Sequence, residues 1–580
     1  MAVFRIDLIK RYLRPHKNTL ILGGVSLIIV NILSVAIPFE VRRIIDALKE
    51  GFSFNDVLSK SAWIIILATV MGLVRLLSRQ LVFGVGRQVE VNLRQRLFDH
   101  MLIQDPGWVQ GIGSGEVITR ATSDIENIRR LLGFAILSLT NTFLAYAFTI
   151  PAMLAINPFL TVVSISLYPI MLGTVRLFGG RMVKQRKRQQ EALSSLSELI
   201  QEDLSGISAI KIYGQEVAEE KAFSSLNNNY KNAAINLART ASTLFPLLQG
   251  ISSISLLLIL ALGSSFIEKG SLTIGGLIAL ILYVERLVFP TALLGFTLNT
   301  FQLGQVSLER VEELLNNEPL IKDNINNSPL NKPIKGKLKA KNLSVRYEDN
   351  GKNIIKDINF SINPGELVAI VGPVGCGKTT LARALCRMVN IKRNQLFLDG
   401  NDILDLKLED LRKNIALVPQ EGYLFTDSLA NNIRYGDPYA SIKEIQESSQ
   451  QAHLDEDIKG FPDGFETLVG ERGITLSGGQ RQRTALSRAL LISSPIIVLD
   501  DALASVDNKT AAAILSSIRQ QENRTILMIS HQLSAAAACD RIIVLNEGEL
   551  VQEGTHTDLI NKNGVYKQLW ERERAVEQLD

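Results

Sequence analysis

Two neighbouring carboxylates, Asp500 and Asp501, follow the apolar run Ile496, Ile497, Val498, Leu499. A second stretch, GPVGCGKTT, supplies Gly372, Pro373, Val374, Gly375, Cys376, Gly377, Lys378, Thr379 and Thr380. Glycines at this spacing let backbone N–H groups close around phosphate oxygens, and a following helix adds the positive end of its dipole. Lys378 has the charge and reach for the β and γ phosphates of a nucleotide. The Thr379 hydroxyl and the Asp500 carboxylate are hard oxygen ligands suited to Mg²⁺. A carboxylate at the next position could polarise an attacking water, and glutamate would reach further than aspartate there. Asp501 is one methylene shorter. Binding of ATP with Mg²⁺ is therefore expected, with hydrolysis at an altered position.

These residues need elements to hold them. Four consecutive apolar residues before Asp500 read as a buried parallel strand, which delivers its carboxylate to the ligand-binding end of a doubly wound sheet. The surroundings of the glycine stretch, LVAIVGPVGCGKTTLARAL, read as strand, loop and helix, the context that a phosphate loop requires. Cys376 sits among the loop's N–H groups beside Lys378. An electropositive, open setting of that kind favours thiolate, so Cys376 is expected to react before Cys386 and Cys539; a thiol tucked under the loop that never reacts is the alternative.

The chain has 580 residues, enough for two or more domains. Hydrophobic residues make up 46% and charged residues 21%, a mixture of apolar blocks and a soluble part. A net charge of +4 gives no argument for nucleic acid, and three cysteines are too few for a disulfide framework. Six apolar segments precede residue 300, at residues 19–38, 61–77, 132–154, 158–177, 247–266 and 274–294. About 20 residues at 1.5 Å each cross a hydrocarbon core of ~30 Å. The basic N-terminal stretch reads as leading into a retained membrane helix rather than a cleaved signal. Lysine and arginine cluster before the first segment, between the second and third, and between the fourth and fifth, so those ends are cytoplasmic. Arg42, Arg43 and Lys49 in the first outer loop are an exception to that pattern. Glu285 and Arg286 fall near mid-membrane in the sixth segment, where ionisable residues are candidates for a translocation path. A structural pairing with another helix is the alternative.

Further short elements stand in order after the proline- and asparagine-rich linker at residues 316–336, and from Lys337 onward the chain resembles the nucleotide-binding domain of ATP-binding-cassette (ABC) transporters. LSVRYED gives Tyr347, similar to the aromatic that stacks on adenine. VPQ gives Gln420, similar to the glutamine that senses Mg²⁺. TLVGERG, with Glu471, resembles the segment that precedes the signature in exporters. LSGGQ, at Leu476, Ser477, Gly478, Gly479 and Gln480, resembles the family signature. ASVD gives Asp507, similar to the loop that contacts the opposite site, and ISHQLS gives His531, similar to the switch histidine. The whole chain resembles a half-transporter exporter. Residues 1–315 are expected to form an all-α membrane domain of six helices, and residues 337–580 an α/β ATPase domain. Residues 113–128 and 210–216 resemble exporter coupling regions.

The resemblance implies work in pairs, each ATP held between the phosphate loop of one chain and the signature of the other. With Asp501, His531 and Gln420 as the catalytic set, only Asp501 departs from the family pattern. An intact signature beside an altered hydrolytic position implies a second, glutamate-bearing half-transporter as partner. A homodimer in which aspartate serves is the alternative, as is a nucleotide-gated channel or regulatory subunit. The lipid bilayer and a drug, lipid or peptide substrate are the remaining implied partners. The absence of a peptidase segment before the first span argues against a peptide-processing exporter.

Overall fold

The computed structural model describes residues 6–48, 54–323, 333–347, 351–470, 473, 475–506, 508–519 and 524–577. Asp507, Glu471, Lys49 and much of the expected linker lie outside the described residues. The chain divides into two compact units: Met1–Leu102 with Ile112–Asn317, and Ile103–Gly111 with Glu318–Asp580.

The first unit is built on six helices long and apolar enough to cross a membrane: α1 (Ile6–Ala47), α2 (Asn55–Leu102), α3 (Ser114–Leu154), α4 (Pro158–Ser205), α5 (Glu216–Glu268) and α6 (Ile274–Leu315). At 41 to 53 residues they run about 60–80 Å, twice the hydrocarbon thickness. The expected spans fall inside these longer helices. Each exceeds its apolar core because the polar sequence between the spans has strong helix formers and few breakers. A buried cluster around Met153, Leu160, Tyr168, Ile259, Leu280 and Leu287 joins α3 to α6. Polar groups inside this unit find partners: the Tyr283 hydroxyl donates to Val35 O at 2.7 Å, and that of Tyr168 to Val284 O at 2.8 Å. The exception in the first outer loop is partly neutralised. Arg42 pairs with Asp46 at 3.6 Å and Arg43 with Glu40 at 3.2 Å.

The second unit holds two sheets. The smaller is antiparallel, in order β2 (Ile355–Ile362), β1 (Leu338–Val345), β4 (Leu396–Leu398), β5 (Asn401–Asp402). The larger runs β10 (Glu549–Gly554), β9 (Arg541–Asn546), β3 (Leu367–Val371), β8 (Thr525–Ile529), β7 (Ile496–Asp500), β6 (Ile415–Val418). All neighbours in it are parallel except β10 with β9. Strands β3, β7 and β8 are buried at every residue, as continuous apolar runs covered on both faces must be. Register aligns their ends: Ile370 pairs with Ile529, Asp500 with Ile529, and Val418 with Leu499. The loops that leave β3, β6, β7 and β8 therefore start from one edge, the carboxyl edge where doubly wound folds bind ligands.

Candidate functional site

At that edge, β3 runs into the glycine loop and then into α7 (Lys378–Leu385), with Gly377 as its N-cap. Gly372 has φ +154° and leaves no room for a side chain: a Cβ there would come within 2.0 Å of Leu545 O and 2.8 Å of the Cys376 sulfur. Gly377 has φ +103°, a conformation that L side chains rarely adopt. The loop is thus a backbone cradle in front of a helix N-terminus, which suits phosphate. Its tip, Val374, is 89% exposed.

The Lys378 side chain folds back over the loop. Its ammonium donates to Gly372 O at 2.7 Å and Pro373 O at 3.0 Å. Burial pulls its pKa below the usual lysine value, opposed by the neighbouring Cys376, Asp501 and Asp500. Thr379 Oγ1 donates to Asp500 Oδ1 at 3.1 Å, bringing both expected Mg²⁺ ligands together from residues 121 positions apart. Burial raises the Asp500 pKa, the Thr379 hydrogen bond opposes this, and the adjacent Asp501 adds to it. A buried carboxylate beside a hydroxyl, with a second carboxylate next to it, is a donor set that a hard divalent cation would relieve. The residues therefore fit Mg²⁺ held with nucleotide phosphates.

Asp501 adopts the left-handed conformation, φ +53°, fixed by its N–H donating to Ile529 O at 2.9 Å. Aspartate tolerates this region better than most side chains. Its carboxylate is 3.4 Å from both Gln420 Nε2 and the His531 backbone N–H, at the long limit of hydrogen bonding. Asp501, Gln420 and His531 lie near one another on the turns that follow β7, β6 and β8. The His531 and Gln420 side chains are exposed. Tyr347 is 49% exposed and its hydroxyl lies 3.3 Å from Thr380 Oγ1 and 3.4 Å from Arg383.

The signature opens α8 (Gly478–Leu491), whose first turn accommodates Gly478 and Gly479. Ser477 caps it: its hydroxyl accepts from Gln480 N at 3.3 Å, while Ser477 N donates to Gln480 Oε1 at 2.9 Å. Leu476 is buried beneath this turn. Gly479 must be glycine, since a Cβ would stand 2.9 Å from Ser505 O.

Two groups escaped sequence reasoning. Gln482, two residues past the signature, donates to Asp501 O at 3.5 Å and accepts from Ser505 N at 3.0 Å. It ties α8 to the Asp501 turn of the same chain. Asp457 holds the helix from outside through Gln480 Nε2 at 3.0 Å and Arg483 at 2.7 Å. Gln482 has a signal in the repeated glutamine of LSGGQRQR, and Asp457 has none.

One expectation is corrected. Cys376 is only 4% exposed, its sulfur 3.8 Å from the Lys378 ammonium. The thiol turns under the loop because Val374 and Gly375, not Cys376, form the tip, so it is not the open, reactive group expected. Burial pushes the Cys386 and Cys539 thiols up to about 12, so neither offers thiolate at neutral pH.

Comparison with known proteins agrees with this geometry. The family profile described as ABC transporter transmembrane region matches residues 20–291, and the profile described as ABC transporter matches residues 355–504. The multidrug resistance-like ATP-binding protein MdlA of Buchnera aphidicola subsp. Schizaphis graminum is 31% identical over 560 residues, 96% of each chain. The probable multidrug resistance ABC transporter ATP-binding/permease protein YheI of Bacillus subtilis is 30% identical, covering 95% of this chain and 94% of that protein. Among solved structures, a bacterial Atm1-family ABC exporter with ATP bound superposes with a TM-score of 0.76 at 25% identity, over 97% of this chain and 98% of that one.

Proposed function

The chain belongs to the ABC transporter family, and from that premise we propose that it is the slowly hydrolysing half of an asymmetric exporter pair. As an ATP-hydrolysing exporter it has a multi-pass inner-membrane domain and a cytoplasmic ATPase domain, and exporters of this family act as dimers in the bilayer. The reading of the pair as unequal is carried by one observation. Asp501 stands at the turn after β7 with its carboxylate no nearer than 3.4 Å to Gln420 Nε2 and His531 N, while Lys378 lies against the glycine loop and Ser477 caps α8.

In this reading the glycine loop and Lys378 bind ATP, and Thr379, Asp500 and Gln420 hold Mg²⁺. When bound, the metal neutralises charge on the phosphates. Ser477, Gly478 and Gly479 present a hydroxyl, N–H groups and a helix N-terminus to nucleotide on a second chain. That chain brings glutamate in the position of Asp501 and turns over. Closing and opening of the pair shift the membrane helices between inward and outward populations, exporting a hydrophobic or amphipathic drug, lipid or peptide. We assign the transmission of this motion to Ile103–Gly111. It belongs to the ATPase unit although it lies between α2 and α3, and Leu320 N donates to Asp105 Oδ2 there at 2.8 Å. Residues 113–128 and 210–216 fall in the other unit.

Purified alone in lipid, the chain is expected to show little ATPase activity, and copurification with a glutamate-bearing half-transporter to raise it by ~10²-fold. Robust substrate-stimulated turnover by the chain alone would favour the homodimer.

A further inference from the structure

The sixth membrane helix carries a cation that the ATPase chemistry does not use. Arg286 lies twelve residues into α6, ~18 Å along it and so near mid-membrane. One guanidinium nitrogen donates to Asn31 Oδ1 at 3.0 Å and reaches Asn31 O at 3.5 Å. The other terminal nitrogen is buried without a partner. Asn31 is itself fixed, 1% exposed, its amide donating to Leu27 O at 2.9 Å and Asn141 Oδ1 at 3.3 Å. A neutral amide orients the guanidinium and leaves its charge standing.

A second cation occupies the same layer. Ser34 Oγ meets the Met71 sulfur at 3.2 Å, and Ser78 Oγ donates to Gly23 O at 2.9 Å. These contacts align α1 and α2 antiparallel and set Arg75, one turn beyond Met71, opposite the turn of α1 that precedes Asn31. The bond of Arg75 is to the Met71 thioether at 3.6 Å, a weak acceptor. Arg79 follows one turn later on the same face, where like charges repel. Among the described residues none of these three arginines is bonded to a carboxylate. Glu285, next in sequence to Arg286, points elsewhere around the helix and is exposed. Uncompensated cations at this depth are costly unless something anionic joins them.

We propose that Arg286, with Arg75 beside it, binds the anionic head of an amphipathic substrate within the membrane domain. The orphan nitrogen supplies a charge-assisted hydrogen bond to a carboxylate or phosphate oxygen. The inference rests on the exporter reading and narrows its substrate to anionic amphiphiles.

The test uses the full chain in discs of neutral phosphatidylcholine and two probes, a twelve-carbon fatty acid with a fluorophore at its far end and the methyl ester of that acid. Binding is read by anisotropy. The acid is expected to bind at least ~10-fold more tightly than the ester. Arg286→Gln and Arg75→Gln should each shrink that preference and the double substitution abolish it, with ester affinity unchanged. Arg286→Lys should retain most of it. Displacement of the acid by phosphatidylglycerol in the disc identifies a lipid headgroup as the occupant, and displacement only by soluble octanoate identifies a free amphiphile. Equal affinity for acid and ester, a preference that survives the double substitution, or parallel loss of ester binding would overturn the proposal. Should Arg286→Gln not fold, Arg75→Gln, at an exposed position, decides alone. ATP-analogue binding in the same samples separates the two levels. Its persistence without anion preference removes this inference only, and its absence removes the exporter reading.

Discussion

Replacing Asp501 with glutamate is expected to raise ATP turnover at this chain's own phosphate loop by ~10- to 10²-fold. The added methylene carries the carboxylate about 1.5 Å further from β7, and a misplacement of about 1 Å can cost ~10²-fold in rate. The surroundings are ready for the longer side chain: Gln420 Nε2 and His531 N both stand 3.4 Å from the present carboxylate, so each has slack to move with it. One opposing effect is foreseeable. Position 501 is left-handed at φ +53°, where glutamate is less at ease than aspartate, and the strain costs about 1 kcal/mol. That lowers stability slightly without touching the reach of the carboxylate. The check is steady-state ATPase of the assembled pair, with glutamate already present in the partner. Unchanged turnover under matched lipid would remove the main support for a weakened site.

Lys378→Ala is expected to weaken ATP binding at this loop by ~10²-fold, equivalent to ~3 kcal/mol for losing charge-assisted contacts to phosphate. In the structure the ammonium is partly desolvated and satisfied by two loop carbonyls, at 2.7 and 3.0 Å. Binding exchanges those carbonyls for phosphate oxygens, so the cation is already in place. Alanine also frees Gly372 O and Pro373 O, and a small loss of thermal stability should accompany the loss of affinity. Photolabelling of this chain by an ATP analogue, titrated against the unmodified protein, measures the effect. Labelling at undiminished affinity would mean that the loop is not the phosphate site.

Local chemistry was legible in the sequence wherever one element carried the signal. Ile496 to Leu499 has the length and branching of a covered strand, and its buried end does deliver Asp500 beside Thr379. The six apolar runs gave the membrane helices, and the helix-forming polar sequence between them showed that the helices extend past the apolar spans, which they do. What could not be read depends on distant partners or on local turns. Asn31 and Arg286 meet across 255 positions, and nothing in either segment announces the other. Cys376 is surrounded by the right charges, yet the path of the glycine backbone turns its sulfur inward. The helix Pro106–Ile112 is seven residues long, too short to show a period, so the grouping of Ile103–Gly111 with the ATPase unit was invisible. Asp507 falls outside the described residues, and its part in contacting an opposite site stays a proposal from resemblance.

The unequal pair is tested most directly by asking which nucleotide each loop holds after one round of catalysis. The chain, assembled with a glutamate-bearing half-transporter, is loaded with a radiolabelled photoreactive ATP, allowed a single turnover and crosslinked. The labelled chains are then separated and their nucleotides identified. Triphosphate on this chain and diphosphate on the partner is the predicted result, since Gly372 to Thr379 bind while Asp501 hydrolyses slowly, and Ser477 to Gln480 complete the partner's site. Diphosphate appearing on both chains at the same rate would contradict it.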